Sequence, residues 1–119
     1  MTGRREKHKL GRMTRRPFIA VYILASGRNG TLYTGVTSDL PGRVYQHKHA
    51  MIPGFTARHG CKTLVWYEPH LSMVEAIARE RAIKHWVRRW KLALIEADNP
   101  DWRDLSESWF DQTLSPWAS

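Results

Sequence analysis

Phe18-Ile19-Ala20-Val21-Tyr22-Ile23-Leu24 is apolar at every position and rich in β-branched and aromatic residues. Such a run reads as a strand buried on both faces, so the chain must place cover on each side of it. Ser26-Gly27-Arg28-Asn29-Gly30 follows, with Asn-Gly chemistry suited to a tight turn. Thr31 to Val36 is a second β-prone run, and the two predict a hairpin. A turn symmetric about its centre would put Leu24 opposite Thr31 and Tyr22 opposite Tyr33, a cross-strand tyrosine pair on one face. The longest apolar stretch, Pro17 to Ala25, is far short of the roughly 20 residues a membrane-spanning helix needs. Basic residues precede it, but no small-residue cleavage pattern follows, so a strand is expected rather than a signal peptide.

Ser38 or Asp39 can cap a following helix, and Pro41 suits its first turn. Leu40, Val44, His47 and Met51 share one face of that helix, and Arg43 lies one turn before His47. Pro53-Gly54 and His59-Gly60 bracket an expected loop. Thr63 to Tyr67 predicts a third strand, closed by Pro69. Ser72-Met73-Val74-Glu75 is a capping box. It opens a long helix with an apolar stripe of Met73, Ile77, Ile83, Val87, Trp90 and Leu94. A further helix over Arg89 to Ala97 continues or kinks from it, and Asn99-Pro100 ends it. Asp101 to Leu105 can begin a short last helix. The expected order is β-β-α-β-α-α, an α/β (α+β) domain with a small three-stranded central sheet flanked by helices.

Glu80 fills the gap in the long helix's stripe, about 20° from Met73 in projection. Glu75 is turned well away and has the capping role. A carboxylate on an apolar face is costly unless it is paired or holds a metal. Pairing with an arginine at the sheet edge is the alternative to a metal role.

The chain has 119 residues, enough for one core. Nineteen Lys and Arg against eleven Asp and Glu give a net charge of +8, which favours a polyanionic partner, nucleic acid before membrane. The charge is uneven: +6 over residues 1–16, +5 over 17–98 and −3 over 99–119. Residues 1–16 read as a basic disordered leader, solvated or phosphate-contacting. Residues 17–97 read as the folded domain and 98–119 as a C-terminal helical extension. The one cysteine, Cys61, excludes an internal disulfide and a multi-cysteine zinc site. With no need for an oxidising compartment, a cytoplasmic placement is expected. Cys61, His49, His59, His70 and His85 are expected at the surface or in loops. Trp66, Trp86 and Trp90 are expected in or beside the core, and Trp102, Trp109 and Trp117 pack the C-terminal stretch or serve a partner.

Ala20-Val21-Tyr22, followed eleven residues later by Tyr33-Thr34-Gly35, resembles the signature of the GIY-YIG nucleases. Arg43 stands where that family has its catalytic arginine, and His47 at a frequent histidine or tyrosine one turn on. Glu75-Ala76, Glu80 and Ile83-Lys84 resemble the family's glutamate helix, whose second glutamate is the metal ligand. The resemblance covers about residues 17–95 and is nearest to small stand-alone bacterial single-domain members. Ala20 replaces the first glycine, Thr34 the central isoleucine, and Val36 a lysine some members carry. An asparagine found after the helix in several relatives has no clear match, since Asn99 lies too far along.

The resemblance implies a divalent-metal-dependent endonuclease acting on DNA, with RNA a further possibility, in DNA repair or recombination. The implied catalytic residues are Tyr22, Tyr33, Arg43, His47 and Glu80. Glu80 would hold a single Mg²⁺ or Mn²⁺, Arg43 the phosphate, and His47 would take or relay a proton. Either Tyr22 or Tyr33 would activate water, which requires a nearby cation to depress its pKa. Lys48, Arg58, Lys62 and Lys84 are expected at the nucleic-acid surface, and Arg79, Arg81, Arg88, Arg89 and Lys91 could extend it; a solvated helix face is the alternative for Arg81, Lys84, Arg88, Arg89 and Lys91. Without an appended specificity domain, structure-directed rather than sequence-directed recognition is expected, with no obligatory protein partner. The alternative is a catalytically weak or inactive nucleic-acid-binding module.

Overall fold

The structure, a computed structural model, describes residues 17–110. The expected basic leader over 1–16, Trp117 and the end of the C-terminal extension lie outside the described residues. Three antiparallel strands, β1 (Ala20–Ala25), β2 (Leu32–Thr37) and β3 (Thr63–Pro69), form one sheet in the order β2-β1-β3. Four helices flank it: α1 (Leu40–Lys48), α2 (Phe55–His59), α3 (Met73–Lys84) and α4 (Arg88–Asp98). The fold is α+β, as the sequence predicts. No helix among the described residues is long and apolar enough to cross a membrane.

β1 is central, and all six of its residues are buried, which explains its unbroken apolar run. Its side chains alternate between two cores. Val21, Ile23 and Ala25 pack with Ala76 and Ile83 of α3 and Ile95 of α4. Ala20, Tyr22 and Leu24 pack with Leu40 and Val44 of α1 and with Cys61. A register shift between Ile23 and Leu24 against β3 lets the consecutive Val65 and Trp66 both enter the first core.

The hairpin register is shifted by two residues from the expected one. Tyr22 pairs with Gly35, and Leu24 with Tyr33. The turn takes four residues, 27–30, closed by Ser26 N–H to the Thr31 carbonyl at 3.0 Å and Gly30 N–H to the Gly27 carbonyl at 2.9 Å. Asn29 adopts φ 55°, the positive-φ role expected of it. The two tyrosines still share a face, now as diagonal neighbours.

Asp39 caps α1, its Oδ1 accepting from Gly42 N–H at 3.2 Å. A Cβ on Gly42 would lie 2.3 Å from Asp39 Oδ2, so a larger residue there would make the capping carboxylate shift. Leu40, Val44 and His47 are buried as their spacing predicts. Met51 is not; the helix has ended before it, and it is 61% exposed. The loop expected between Pro53 and Gly60 contains α2. Gly54 at φ 120° and Gly60 at φ 65° allow five residues to complete one turn of helix between them.

Ser72 caps α3, with Oγ accepting from Glu75 N–H at 3.2 Å. The stripe drawn through Val87 and Trp90 does not continue from it. The chain breaks at His85–Val87 and α4 starts afresh, so the helical phase resets and Val87 and Trp90 are half exposed. Asn99 ends α4 and is buried; its amide donates to the Val65 and Arg103 carbonyls at 3.1 and 2.9 Å. In place of the expected short helix, residues 101–110 run through turns. Asp104 fastens this stretch: its carboxylate pairs with Lys48 and accepts from Leu64 N–H and Ser106 Oγ at 3.3 and 2.7 Å. Cys61 lies in the loop between α2 and β3, as expected, but is fully buried rather than at the surface, and burial pushes its pKa up. His70 is half-buried and pairs with Glu68 at 2.8 Å.

Candidate active site

Tyr22 projects from central β1 over its edge-strand partner, Gly35. A Cβ there would lie 2.5 Å from both Cζ and the hydroxyl of Tyr22. Gly35 is thus the gap through which the phenol reaches the β2 edge of the sheet. Its hydroxyl meets His47 Nε2 at 3.2 Å. On the other side of the ring, His47 Nδ1 lies 3.0 Å from Thr56 Oγ1. Tyr22, His47 and Thr56 form a buried hydrogen-bonded chain from β1 through α1 to α2. Tyr33 closes over it, its ring centroid 6.2 Å from Tyr22 and 5.6 Å from His47. Phe55, half exposed on α2, stacks on the outer side of Tyr33 at 6.2 Å.

Arg43 sits one turn before His47 on α1, and its positive charge acts on both Tyr22 and His47. Burial and then Arg43 push His47 down to about 4, so its imidazole is neutral at neutral pH. Burial also dominates Tyr22. Together with Tyr33 and, more weakly, Glu80, it holds the phenol well above the ordinary tyrosine range, outweighing the opposing Arg43. This corrects the expectation of a tyrosine depressed by a nearby cation: enclosure against β2 and α1 costs the phenolate more than Arg43 returns.

Glu80 lies on the buried face of α3, as its helical phase predicts, with Ala76 and Ile83. That helix packs on the side of the sheet away from Tyr22. Glu80 therefore reaches the tyrosine electrostatically, at the β2 edge, rather than by direct hydrogen bonding. Its carboxylate, with the side chain only 10% exposed, pairs with Lys84 Nζ at 2.6 Å. Glu75 is exposed at the helix start.

Among the described residues no cluster of three or more His, Cys, Asp or Glu could hold a metal. Glu80 can serve only as a single protein ligand. Its chemistry fits that: one hard oxygen donor, nearly buried, already balanced by the movable cation of Lys84.

Of the expected surface cations, Arg58 and Lys62 are exposed. Lys84 is half exposed over Glu80 and lines, with Tyr33, Phe55 and Lys91, a cleft of about 280 Å³. Lys48 turns to Asp104 and to the Lys62 carbonyl at 3.0 Å, tying α1 to the C-terminal stretch. Thr56 and Phe55 escaped the sequence reading because α2 did, and no spacing signal links position 56 to position 47.

The family model of the GIY-YIG catalytic domain matches residues 18–93, the sheet together with α1, α2, α3 and the first half of α4. A UPF0213 protein of Staphylococcus epidermidis is 34% identical over 76 residues, 64% of this chain and 92% of that protein. A UPF0213 protein of Streptococcus sanguinis is 34% identical over 76 residues, covering 86% of its length. One of Staphylococcus aureus is 36% identical over 76 residues, covering 92%. No solved structure matches the chain. With the family match spanning well over half the sequence and including the helices that carry Arg43, His47 and Glu80, the chain belongs to the GIY-YIG catalytic-domain family, a family of nucleases.

Proposed function

We propose that this protein is a divalent-metal-dependent endonuclease that hydrolyses phosphodiester bonds in DNA, acting in the cytoplasm on structured rather than sequence-defined sites, branched repair or recombination intermediates among them. The observation that carries this reading is the Tyr22–His47–Thr56 chain set over Gly35, with Arg43 beside it. Hydrolysis needs an oriented water, positive charge on the phosphoryl oxygens and help for the leaving oxygen.

His47, neutral at working pH, donates Nδ1–H to Thr56 Oγ1, which leaves Nε2 to accept the Tyr22 hydroxyl proton. With that proton directed inward, the Tyr22 oxygen keeps a lone pair for the attacking water. Tyr22 is assigned this role ahead of Tyr33 because its hydroxyl reaches His47 Nε2. It stays protonated at rest and acts through His47. Thr56 is a positioning residue, holding the imidazole ring at Nδ1. Arg43 holds the phosphate with a planar, permanently charged fork. Bound at Glu80, Mg²⁺ or Mn²⁺ would draw charge from the phosphate and the leaving oxygen. Arg58, Lys62 and Lys84 supply sequence-independent attraction for the backbone.

The test is incubation of the purified chain with linear, nicked and branched DNAs, and with RNA, in Mg²⁺ or Mn²⁺. Cleavage that stops on chelation supports the reading. Salt-sensitive retention of DNA without cleavage of any substrate replaces it with a binding module.

A further inference from the structure

We propose that the groove walled by Trp86 and Trp90 is a stacking site for an unpaired base of single-stranded DNA, separate from the Tyr22–His47 centre. It rests on the reading of DNA as substrate. Trp90 is 53% exposed on α4. Trp86 is partly buried against the core, with the Arg79 guanidinium 5.4 Å from its ring centroid. The two indoles meet edge to face, 6.1 Å apart at 81°. With Ala93 and Leu94 they bound an open groove of about 420 Å³. One ring offers a face for stacking and the other forms the wall.

Charge selects the occupant. Residues 79–91 hold six Lys or Arg and one acid, Glu80; Lys84 pairs with Glu80 and Arg79 with Glu68, while Arg81, Arg88, Arg89 and Lys91 have no ion-pair partner among the described residues. The first turn of α4 has no acidic residue. An apolar groove within a cationic segment suits a polyanion that carries aromatic rings; an apolar protein segment would leave Arg81, Arg88, Arg89 and Lys91 without a match. The groove is also fixed in place. Arg88 donates to the Asn29 and Gly30 carbonyls at 3.0 and 2.7 Å, which pins the start of α4 to the β1–β2 turn. Lys91, next to Trp90 in the chain, lines the cleft that holds Tyr33. A strand whose phosphates pass Lys84 and Lys91 therefore joins the groove to the candidate active site.

The test is fluorescence anisotropy in EDTA, where no turnover occurs, using a labelled oligodeoxythymidine and a labelled duplex. Trp90→Ala should weaken single-strand binding about tenfold while duplex affinity changes less than about twofold. Trp90→Phe should restore most of the loss. The salt slope should not change, because no charge is removed. The wild-type chain, photocrosslinked to a DNA single strand containing 5-iodo-2′-deoxyuridine, should carry the adduct on Trp86 or Trp90.

Unchanged single-strand affinity, an equal loss on duplex, or adducts only elsewhere would overturn the proposal. So would a dimer that Trp90→Ala dissociates with no loss of single-strand binding, since a second copy would then fill the groove. Cleavage without Trp90-dependent binding removes the stacking site alone. Trp90-dependent binding without cleavage removes the nuclease reading alone.

Discussion

Replacing Gly35 by alanine puts one methyl group where the Tyr22 phenol crosses the edge strand. The new carbon would lie 2.5 Å from Cζ and the hydroxyl and 3.0 Å from Cε2. Non-bonded carbons rest at about 3.5–4.0 Å, so the ring must retreat by roughly 1 Å. Tyr22 is 2% exposed, so the retreat goes into packed neighbours and away from His47, 3.2 Å from its hydroxyl. Overpacking of this kind costs about 1–3 kcal/mol, and the hydrogen bond about 1 kcal/mol more. A stiffer unfolded chain offsets about 0.4–1 kcal/mol. The net expectation is a loss of about 1–3 kcal/mol, read as a lower urea midpoint at unchanged m-value. Cleavage should fall on the order of 100-fold, the usual effect of a misplacement of about 1 Å. Tyr22→Phe removes one of the two closest clashing atoms, so Gly35→Ala should cost less in that background, with a coupling of at least about 0.5 kcal/mol. Equal costs in both backgrounds, or no cost in either, would refute the claim that Gly35 exists to seat this ring.

His47 titrates at about 4 when folded against 6.5 ordinarily, so the folded state binds fewer protons over that interval. The stability it contributes is complete above pH 6.5 and lost as pH falls from about 6.5 through 4, a total on the order of 3 kcal/mol. His47→Gln should flatten this part of the urea-midpoint-against-pH curve, and an unaltered curve would count against a buried neutral imidazole. Thr56→Val keeps the shape of the side chain but leaves His47 Nδ1 without its partner. It should cost about 1–3 kcal/mol and displace the acid limb of the pH–rate profile, with Thr56→Ser restoring both; a stability loss with an unmoved pH profile would make Thr56 merely structural.

Much of this arrangement is legible in the sequence because it rests on local rules. The unbroken apolar run of β1 identifies a strand covered on both faces, and Asp39 and Ser72 mark the starts of α1 and α3. Glu80 is placed on a buried face by its helical phase alone. What escapes depends on where local order stops. A turn centred one residue further along the chain moves Tyr22 opposite Gly35, and the meaning of that glycine appears only with the true register. The break at His85–Val87 resets the helical phase, so Trp90 faces outward instead of joining the core. α2 is too short for periodicity and is defined by its flanking glycines, which hides the contact between Thr56 and His47. Cys61 is buried by tertiary packing alone, against the face of β1 that carries Tyr22.

The most direct measurement is cleavage and binding of one branched DNA by the wild type, Glu80→Gln and Glu75→Gln in Mg²⁺ or Mn²⁺. Glu80→Gln keeps the side chain's shape and removes the charge a divalent cation needs. Cleavage should fall on the order of 100-fold or more, while DNA affinity stays close to wild type, because the surface cations supply it. Glu75→Gln, exposed at the start of α3 and still able to serve a capping box, should match the wild type in both. Metal-dependent cleavage by Glu80→Gln at the wild-type rate, or an equal loss in Glu75→Gln, would contradict the assignment of Glu80 as the metal-binding carboxylate.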